Sequence, residues 1–248
     1  MRLVFLGCGG WIPRENETSC FAVEHKDSLI LLDAGTGIAN LHMSRDIYSS
    51  YDTVSIILSH YHLDHIIGLI YLLPYLDDKI INIYGPGKPV YGRSTEEILS
   101  DLFRQDLFSR PLNRIAREVN CIDYGSSSFD IDDIHISVDE QKHSSPSFQI
   151  TIDDILRYST DTSFDVTTVE KDDGAKVLLH ECWNISGEDS KHTSLEQILR
   201  QLNTQRFDDI YLIHQNPAWT ESDIEQIREQ IQGTNIHLPH DGERVEIW

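Results

Sequence analysis

Four side chains of the types that can bind divalent metals lie within a six-residue segment in the first third of the chain. They are His60, His62, Asp64 and His65. Residues 53–58 before them are mainly apolar and predict a buried strand, and residues 66–73 after them predict a helix. Neutral imidazoles and carboxylates are the usual protein ligands of zinc and similar divalent ions. The sequence therefore predicts a metal site in a loop between a strand and a helix.

The spacing of these side chains indicates two metal positions. In a loop that leaves a strand, side chains alternate with a period of two residues. His60 and His62 should therefore point to the same side and share one ion. Asp64 and His65 should point to a second position, where the chain turns into the helix. The alternative, a set of surface or core histidines that are adjacent by chance, would produce so dense a pattern only rarely.

The motif HxHxDH over residues 60–65 resembles the metal-binding motif of the metallo-β-lactamase fold. This resemblance implies an α/β architecture, a metallo-β-lactamase αββα sandwich in which helices flank two mixed β-sheets. No repeat, low-complexity tract or linker interrupts the chain, so we expect a single domain over residues 1–248.

The resemblance also implies three more metal ligands, and candidates for them follow in the family's order. His143 would be the third ligand of the first metal, Asp161 would bridge both metals, and His214 would be the last ligand of the second metal. The full set would hold two divalent ions. Zn²⁺ is the first expectation, although Mn²⁺ and Fe²⁺ accept the same ligands.

Two later segments, residues 178–182 and 191–194, resemble the paired HEAT and HST motifs of the tRNase Z branch of this fold. The resemblance implies that His192 contacts phosphate oxygens and stabilises charge or supplies the proton of the leaving group. Glu181 would then fix the orientation of His192, the alternative being a surface glutamate at the end of a strand. His180 is either a structural residue or a further support of the site.

Two metals of this kind, with the HEAT- and HST-like segments, would support phosphodiester hydrolysis. They would hold a bridging hydroxide, which Asp64 would orient, and they would clamp a phosphoryl group during attack. His192 and Glu181 would complete the catalytic set with Asp64.

The net charge of the chain favours a small substrate over a long nucleic acid. With 41 acidic and 20 basic residues the formal net charge is −21, so the protein has no long-range attraction for a phosphate backbone or an anionic membrane surface. The tRNA-processing members of the branch carry a long Gly/Pro-rich arm, and the segment between His143 and His180 is instead short and acidic. Its acidic residues are Asp153, Asp154, Asp161, Asp165, Glu170, Asp172 and Asp173.

The first hypothesis is therefore a binuclear-metal phosphodiesterase that hydrolyses a small phosphodiester, a cyclic nucleotide being the leading candidate. Relatives without the arm include enzymes that destroy cyclic mononucleotide immune signals. Three alternatives stay open: a tRNA 3′ processing endonuclease, another hydrolase of the fold such as a lactonase, and a binding protein without activity. The last should have lost ligands, and none of the seven is missing.

Other features concern partners and location. The four cysteines are scattered and no signal peptide or membrane span is apparent, which predicts a cytoplasmic protein with reduced thiols. The resemblance implies a homodimer, and we expect no long nucleic acid and no membrane as partners. Residues 94–118 have apolar residues at helical spacing; they would cover the site, form a dimer face or serve as an outer packing layer.

Overall fold

Fourteen β-strands form two seven-stranded sheets in the computed structural model, which describes residues 1–43, 45–125, 128–171 and 174–248. The strands are β1 (Arg2–Gly7), β2 (Cys20–His25), β3 (Ser28–Leu32), β4 (Thr53–Ile57), β5 (Ile80–Gly85), β6 (Glu118–Asp123), β7 (Ser128–Ile131), β8 (Ile134–Gln141), β9 (Ser147–Ile152), β10 (Leu156–Ser159), β11 (Val177–Glu181), β12 (Asp209–Ile213), β13 (Ile236–His237) and β14 (Arg244–Glu246).

Most of the helices are short. The α-helices are α1 (Arg45–Tyr48), α2 (Leu63–Ile66), α3 (Leu73–Leu76), α4 (Gly87–Tyr91), α5 (Thr95–Leu99), α6 (Val166–Val169), α7 (Leu195–Gln201) and α8 (Glu221–Ile231). The 3₁₀ helices are Thr36–Met43, Ile67–Tyr71, Leu112–Arg114 and Thr204–Arg206. In the part of the chain that the structure describes, no helix combines the length and the apolar character needed to cross a membrane.

The chain divides into two compact units, each with one sheet. The first unit comprises residues 1–8, 16–125 and 240–248 and contains the sheet β14-β1-β2-β3-β4-β5-β6. The second comprises residues 9–15 and 126–239 and contains the sheet β13-β12-β11-β10-β9-β8-β7. The single domain expected over the whole chain stays a prediction.

Both sheets are mixed in the same way. In the first, the pairs from β14 to β3 are antiparallel and those from β3 to β6 are parallel. In the second, the pairs from β7 to β10 are antiparallel and those from β10 to β13 are parallel. Parallel neighbours end at the same edge of a sheet, so each unit brings several strand ends together, where open α/β sheets place their ligands.

Each sheet packs helices onto an apolar face. In the first unit, Leu31 and Ile56 are fully buried with Leu69 of a 3₁₀ helix; in the second, Leu212 is buried with Ile198 of α7. Burying such a side chain stabilises the fold by about 1.5–3 kcal/mol. The predicted α/β class, with two mixed sheets flanked by helices, is confirmed.

The helix predicted after the histidine cluster begins earlier than expected. Residues 66–73 do not form one helix: α2 starts at Leu63, continues into the 3₁₀ helix Ile67–Tyr71, and α3 follows. Asp64 and His65 therefore lie in the first turn of α2 rather than in the loop before it.

The helical spacing of residues 94–118 does not correspond to one continuous helix. Only Thr95–Leu99 is α-helical, and turns connect it to the 3₁₀ helix Leu112–Arg114. Pro111 is extended, and a proline disfavours helical backbone at the residue before it. The apolar residues are spaced as in a helix because side chains of successive turns, such as Phe103, are buried in the first unit's core. This burial agrees with the alternative in which the segment is an outer packing layer.

The four cysteines are free thiols in the structure, and the cytoplasmic setting expected from them stays a prediction. Asp172 and Asp173, counted among the acidic residues between His143 and His180, lie outside the described residues.

A half-buried carboxylate in the first unit gives a prediction about stability. Asp241 accepts hydrogen bonds from the backbone N–H groups of Cys8 (2.9 Å) and Glu17 (2.7 Å) and from Asn40 Nδ2 (3.2 Å). Burial raises the pKa of Asp241 to about 6, and the hydrogen bonds oppose this shift. The folded state therefore keeps the proton to a higher pH than the unfolded chain, whose aspartates ionise near pH ~4.

As the pH rises from about 4 to about 6, Asp241 should lower the free energy of unfolding, because only the unfolded chain loses the proton at the ordinary pKa. Chemical denaturation of the wild type and of Asp241→Asn across this pH range isolates the effect, since asparagine does not titrate. The wild type should lose stability relative to Asp241→Asn as the pH rises; a constant difference contradicts the prediction.

Candidate metal centre

The histidine cluster of the first unit follows β4, and the structure brings its imidazoles together. The rings of His60 and His62 lie 4.5 Å apart, and those of His60 and His65 lie 4.3 Å apart. His60 and His65 are fully buried, and Oδ2 of Asp64 lies 3.5 Å from Nε2 of His65. The four predicted residues of this unit thus form one group.

Asp33, which follows β3, organises this group. Its buried carboxylate lies 2.6 Å from Nδ1 of His65 and accepts hydrogen bonds of 2.7 Å from both the N–H and the Oγ of Ser59. Ser59 Oγ in turn lies 3.0 Å from Nδ1 of His60. These contacts engage both Nδ1 atoms, which leaves Nε2 as the ligand atom of each imidazole.

In the second unit, four strands end at one edge of the sheet and supply four of the predicted residues. β8 leads to His143, β10 to Asp161 and β12 to His214, while Glu181 is the last residue of β11. The direction of β8 matches that of β10 because β9 is antiparallel to both. The sheet topology therefore explains why residues far apart in sequence meet here.

Asp161 offers a separate carboxylate oxygen to each of two histidines. Oδ1 lies 3.0 Å from Nε2 of His214, and Oδ2 lies 3.3 Å from Nε2 of His143. Burial lowers the pKa of His143 although Asp161 opposes the shift, so that imidazole favours the neutral, metal-binding form. Nδ1 of His143 lies 2.9 Å from the backbone oxygen of Lys191, which again leaves Nε2 toward the carboxylate.

His192 stands beside this group and contacts Glu181. Its Nδ1 lies 3.0 Å from Oε2 of Glu181, whose other oxygen accepts a hydrogen bond from the N–H of Thr162. Burial raises the pKa of the Glu181 carboxyl, and the nearby charge of Asp161 raises it further. Glu181 is fully buried, so the alternative of a surface glutamate is excluded.

Potential ligand atoms of Asp161, His192 and His214 lie within 4.8 Å of one another. The imidazoles of His192 and His214 are stacked at 5.8 Å, and the indole of Trp183 stacks on His192 at 4.9 Å. Trp183 also lies 5.3 Å from the His214 ring and so holds both rings in place.

His180, beside Glu181 in the sequence, is fully buried. Its Nδ1 lies 2.8 Å from the backbone oxygen of Glu181, and its ring lies 5.9 Å from that of Phe164. Burial lowers the pKa of His180 to about 4, so it stays neutral at physiological pH. This environment fits the structural alternative for His180.

The donor set of each unit fits divalent metal ions. Both groups combine imidazoles with carboxylates, and backbone or side-chain oxygens fix the Nδ1 atoms of three of the histidines. Ligating histidines in proteins are characteristically held in this way. The chemistry of the donors therefore agrees with zinc or a similar ion in both groups.

Three of the residues at these strand ends have left-handed backbone conformations. The φ angles are 56° at Asp33, 37° at Asp161 and 50° at His214. Non-glycine residues seldom adopt this region, and those that do concentrate at functional sites. The bend at each of these residues turns its side chain toward its partners in the same unit: His65 for Asp33, and one another for Asp161 and His214.

Gly10 leaves room for His214. A Cβ atom at Gly10 would lie 2.4–2.6 Å from three atoms of the imidazole ring. We expect Gly10→Ala to displace His214 and to lower metal content and kcat/KM by about 10–100-fold, as when a residue supporting a metal ligand is lost. Gly125→Ala is the matched control, since its Cβ would meet only Pro89 at an ordinary 3.7 Å. Equal activity of both variants and the wild type would contradict this prediction.

Asp33, Gly10 and Trp183 are functional candidates to which no motif assigned a role. For Asp33 one signal was present, since it directly follows a predicted strand in a glycine-rich turn. Gly10 and Trp183 contact residues that are distant in sequence, and a local pattern does not show such contacts.

Comparisons with known proteins agree with this picture. A family model described as anti-Pycsar protein Apyc1 matches residues 1–232. Ribonuclease Z of Clostridium beijerinckii is 28% identical over 190 residues, which cover 73% of this chain and 56% of that protein. The chain thus spans about half the length of this curated relative.

Two solved structures resemble the whole chain. A diphosphatase from the PhnP family has a TM-score of 0.77 at 16% identity and covers 100% of this chain and 98% of its own. The metallo-β-lactamase fold protein YhfI from Bacillus subtilis has a TM-score of 0.71 at 18% identity and covers 98% of both chains. These matches confirm the predicted metallo-β-lactamase fold.

Proposed function

Because this chain belongs to the family of the anti-Pycsar protein Apyc1, we propose that it is a metal-dependent phosphodiesterase that hydrolyses a cyclic mononucleotide. The family match over residues 1–232 carries this proposal, since the family is one that degrades cyclic nucleotides. A protein of similar fold, from the PhnP family, is a diphosphatase.

The metal ligands of this proposal are the seven residues implied by the motifs. Four belong to the first unit and three to the second: His60, His62, Asp64, His65, His143, Asp161 and His214. Two divalent ions, when bound, supply a nucleophile at neutral pH and neutralise phosphate charge. Zn²⁺ is the proposed metal.

His192 acts on the phosphate in this proposal. Glu181 engages its Nδ1 at 3.0 Å and leaves Nε2 for a phosphate oxygen or the leaving oxygen. The Trp183 indole, stacked on the same ring, limits its rotation. The two neighbours therefore hold His192 ready to stabilise charge or to give a proton to the departing alkoxide. Asp64 and Glu181 complete the proposed catalytic set.

The net charge of −21 supports a small substrate. A long polyanion gains no general attraction from such a surface, whereas a cyclic mononucleotide needs only one local cationic site. Bound divalent ions would create that site in an otherwise acidic protein.

The test is a substrate panel on protein loaded with Zn²⁺ or Mn²⁺, with metal content measured on the same samples. The panel contains purine and pyrimidine 3′,5′-cyclic mononucleotides, bis-p-nitrophenyl phosphate, a precursor tRNA and a lactone. We expect the highest kcat/KM for a cyclic mononucleotide. Failure to cleave both the cyclic mononucleotides and the chromogenic diester refutes the phosphodiesterase, and lactone cleavage alone identifies the lactonase alternative.

A tRNA 3′ endonuclease is the second candidate, because the curated relative in Clostridium beijerinckii is a ribonuclease Z. Between His143 and His180 the described residues form β9, β10, α6 and most of β11. Cleavage of the precursor tRNA at modest salt, faster than that of any cyclic mononucleotide, would establish this second function.

Homodimerisation and the cytoplasmic location stay predictions. Analytical ultracentrifugation of the metal-loaded protein tests the first, and fractionation of the producing cells tests the second.

A further inference from the structure

A short loop of the second unit, residues 9–15, is fastened beside the end of β12. Gly9 forms a bridge with Gln215, and the N–H of Gly10 donates to the backbone oxygen of Gln215 at 3.0 Å. Farther along, Arg14 Nη1 donates to the backbone oxygen of Pro217 at 2.7 Å. The loop is thus held at both ends against the segment that follows His214.

Trp11 lies in this loop and directly follows Gly10, the residue that closely approaches the His214 ring. Its side chain is 66% exposed, although an indole gains more from burial than almost any other side chain. Its φ angle is 61°, which is costly for a bulky residue. An exposed aromatic ring on a strained but fastened backbone next to a candidate site indicates a role in binding.

The indole of Trp183 lies 5.3 Å from the ring of His214 and contacts a second imidazole as well. Trp183 is half-buried and stacks on His192 at 4.9 Å, with its ring 22° from parallel. Its role is therefore to hold imidazoles. The exposed face of Trp11 offers area on which a flat ligand group can lie.

We infer that Trp11 is the stacking platform for the nucleobase of the substrate and makes the enzyme selective for phosphodiesters that carry a planar ring. This inference rests on the proposed function and specifies its substrate class. Stacking on an indole tolerates different bases because each has a π-face, so Trp11 should favour purine and pyrimidine cyclic mononucleotides over a cyclic phosphate without a base.

The experiment compares Trp11→Ala, Trp11→Phe and the wild type, each metal-loaded. The substrates are a purine and a pyrimidine 3′,5′-cyclic mononucleotide and the abasic 1-deoxyribose 3′,5′-cyclic phosphate. Trp11→Ala should lower kcat/KM for both nucleotides by about 5–150-fold, the range measured when a base-stacking aromatic is replaced by alanine, mainly through a higher KM. The value for the abasic substrate should change less than about twofold, and Trp11→Phe should retain most of the nucleotide activity.

Trp248→Ala is the matched control, because its indole is 100% exposed and belongs to the first unit. It should behave as the wild type. Unchanged nucleotide kcat/KM in Trp11→Ala, or an equal loss on the abasic substrate, overturns the inference.

A wild type that hydrolyses no cyclic mononucleotide refutes the proposed function alone. Calorimetric titration with a nucleoside 5′-monophosphate and with ribose 5-phosphate then decides the role of Trp11. Weaker binding of the nucleotide only, in Trp11→Ala, supports the stacking role, and equal binding by the variant and the wild type overturns it.

Discussion

Replacement of Asp161 by asparagine should remove bound metal and lower kcat/KM by more than about 100-fold. The carboxylate places one oxygen 3.0 Å from His214 and the other 3.3 Å from His143, and the side chain is only 4% exposed. Asparagine keeps the size and tolerates the left-handed backbone, so the substitution removes mainly the charge. Loss of a residue that merely supports a metal ligand costs about 10–100-fold, and loss of a ligand should exceed that.

Metal analysis by mass spectrometry and steady-state kinetics on the same preparation measure both effects. Asp154→Asn is the matched control: it makes the same change at an exposed residue of the same unit that also has a positive φ, 54°. It should retain full metal content and activity. A metal content in Asp161→Asn equal to that of the control would show that Asp161 is not a ligand.

Replacement of His192 by alanine should lower phosphodiester cleavage by about 100–10,000-fold, the usual contribution of a positioned proton donor. Metal content should stay at the wild-type level, because the proposal assigns His192 to the substrate. A fall in metal content would instead identify it as a ligand, which its distance of at most 4.8 Å from Asp161 and His214 allows.

His135→Ala is the control for this experiment. His135 belongs to the same unit and forms a surface contact of 2.9 Å with Asp130, which contributes little to stability. The control should keep its activity on every substrate. If His192→Ala cleaves a cyclic mononucleotide at the rate of His135→Ala, His192 takes no part in phosphodiester hydrolysis.

The metal-ligand candidates could be predicted from sequence for two reasons. Four of them form one short motif, and the other three follow in the same order as in the family. The HxHxDH motif concentrates four of them in six residues, and His143, Asp161 and His214 follow in the family's order. Their common placement at strand ends then depends on the parallel pairs of each sheet, which the sequence indicated only as alternating strands and helices.

Asp33 shows why the residues that support the metal ligands could not be predicted from sequence. Its contacts with Ser59 and His65 span 26 and 32 residues, and they exist because β3 and β4 are parallel neighbours. For residues 94–118, the spacing of apolar residues indicated more helix than the structure contains. There, apolar side chains in turns reach the same core that a continuous helix would have reached, so helical spacing did not require a helix.

The left-handed backbone at His214 has a consequence for evolution in the laboratory. Glycine at this position would relieve a conformational cost of about 1–3 kcal/mol. It would also remove a buried imidazole that stacks on His192 and lies 3.0 Å from Asp161, and the loss of a large buried side chain costs about 2–5 kcal/mol. Selection for thermal stability alone should therefore retain His214, so its retention in a library does not report metal binding and a metal-dependent selection step is needed to detect that.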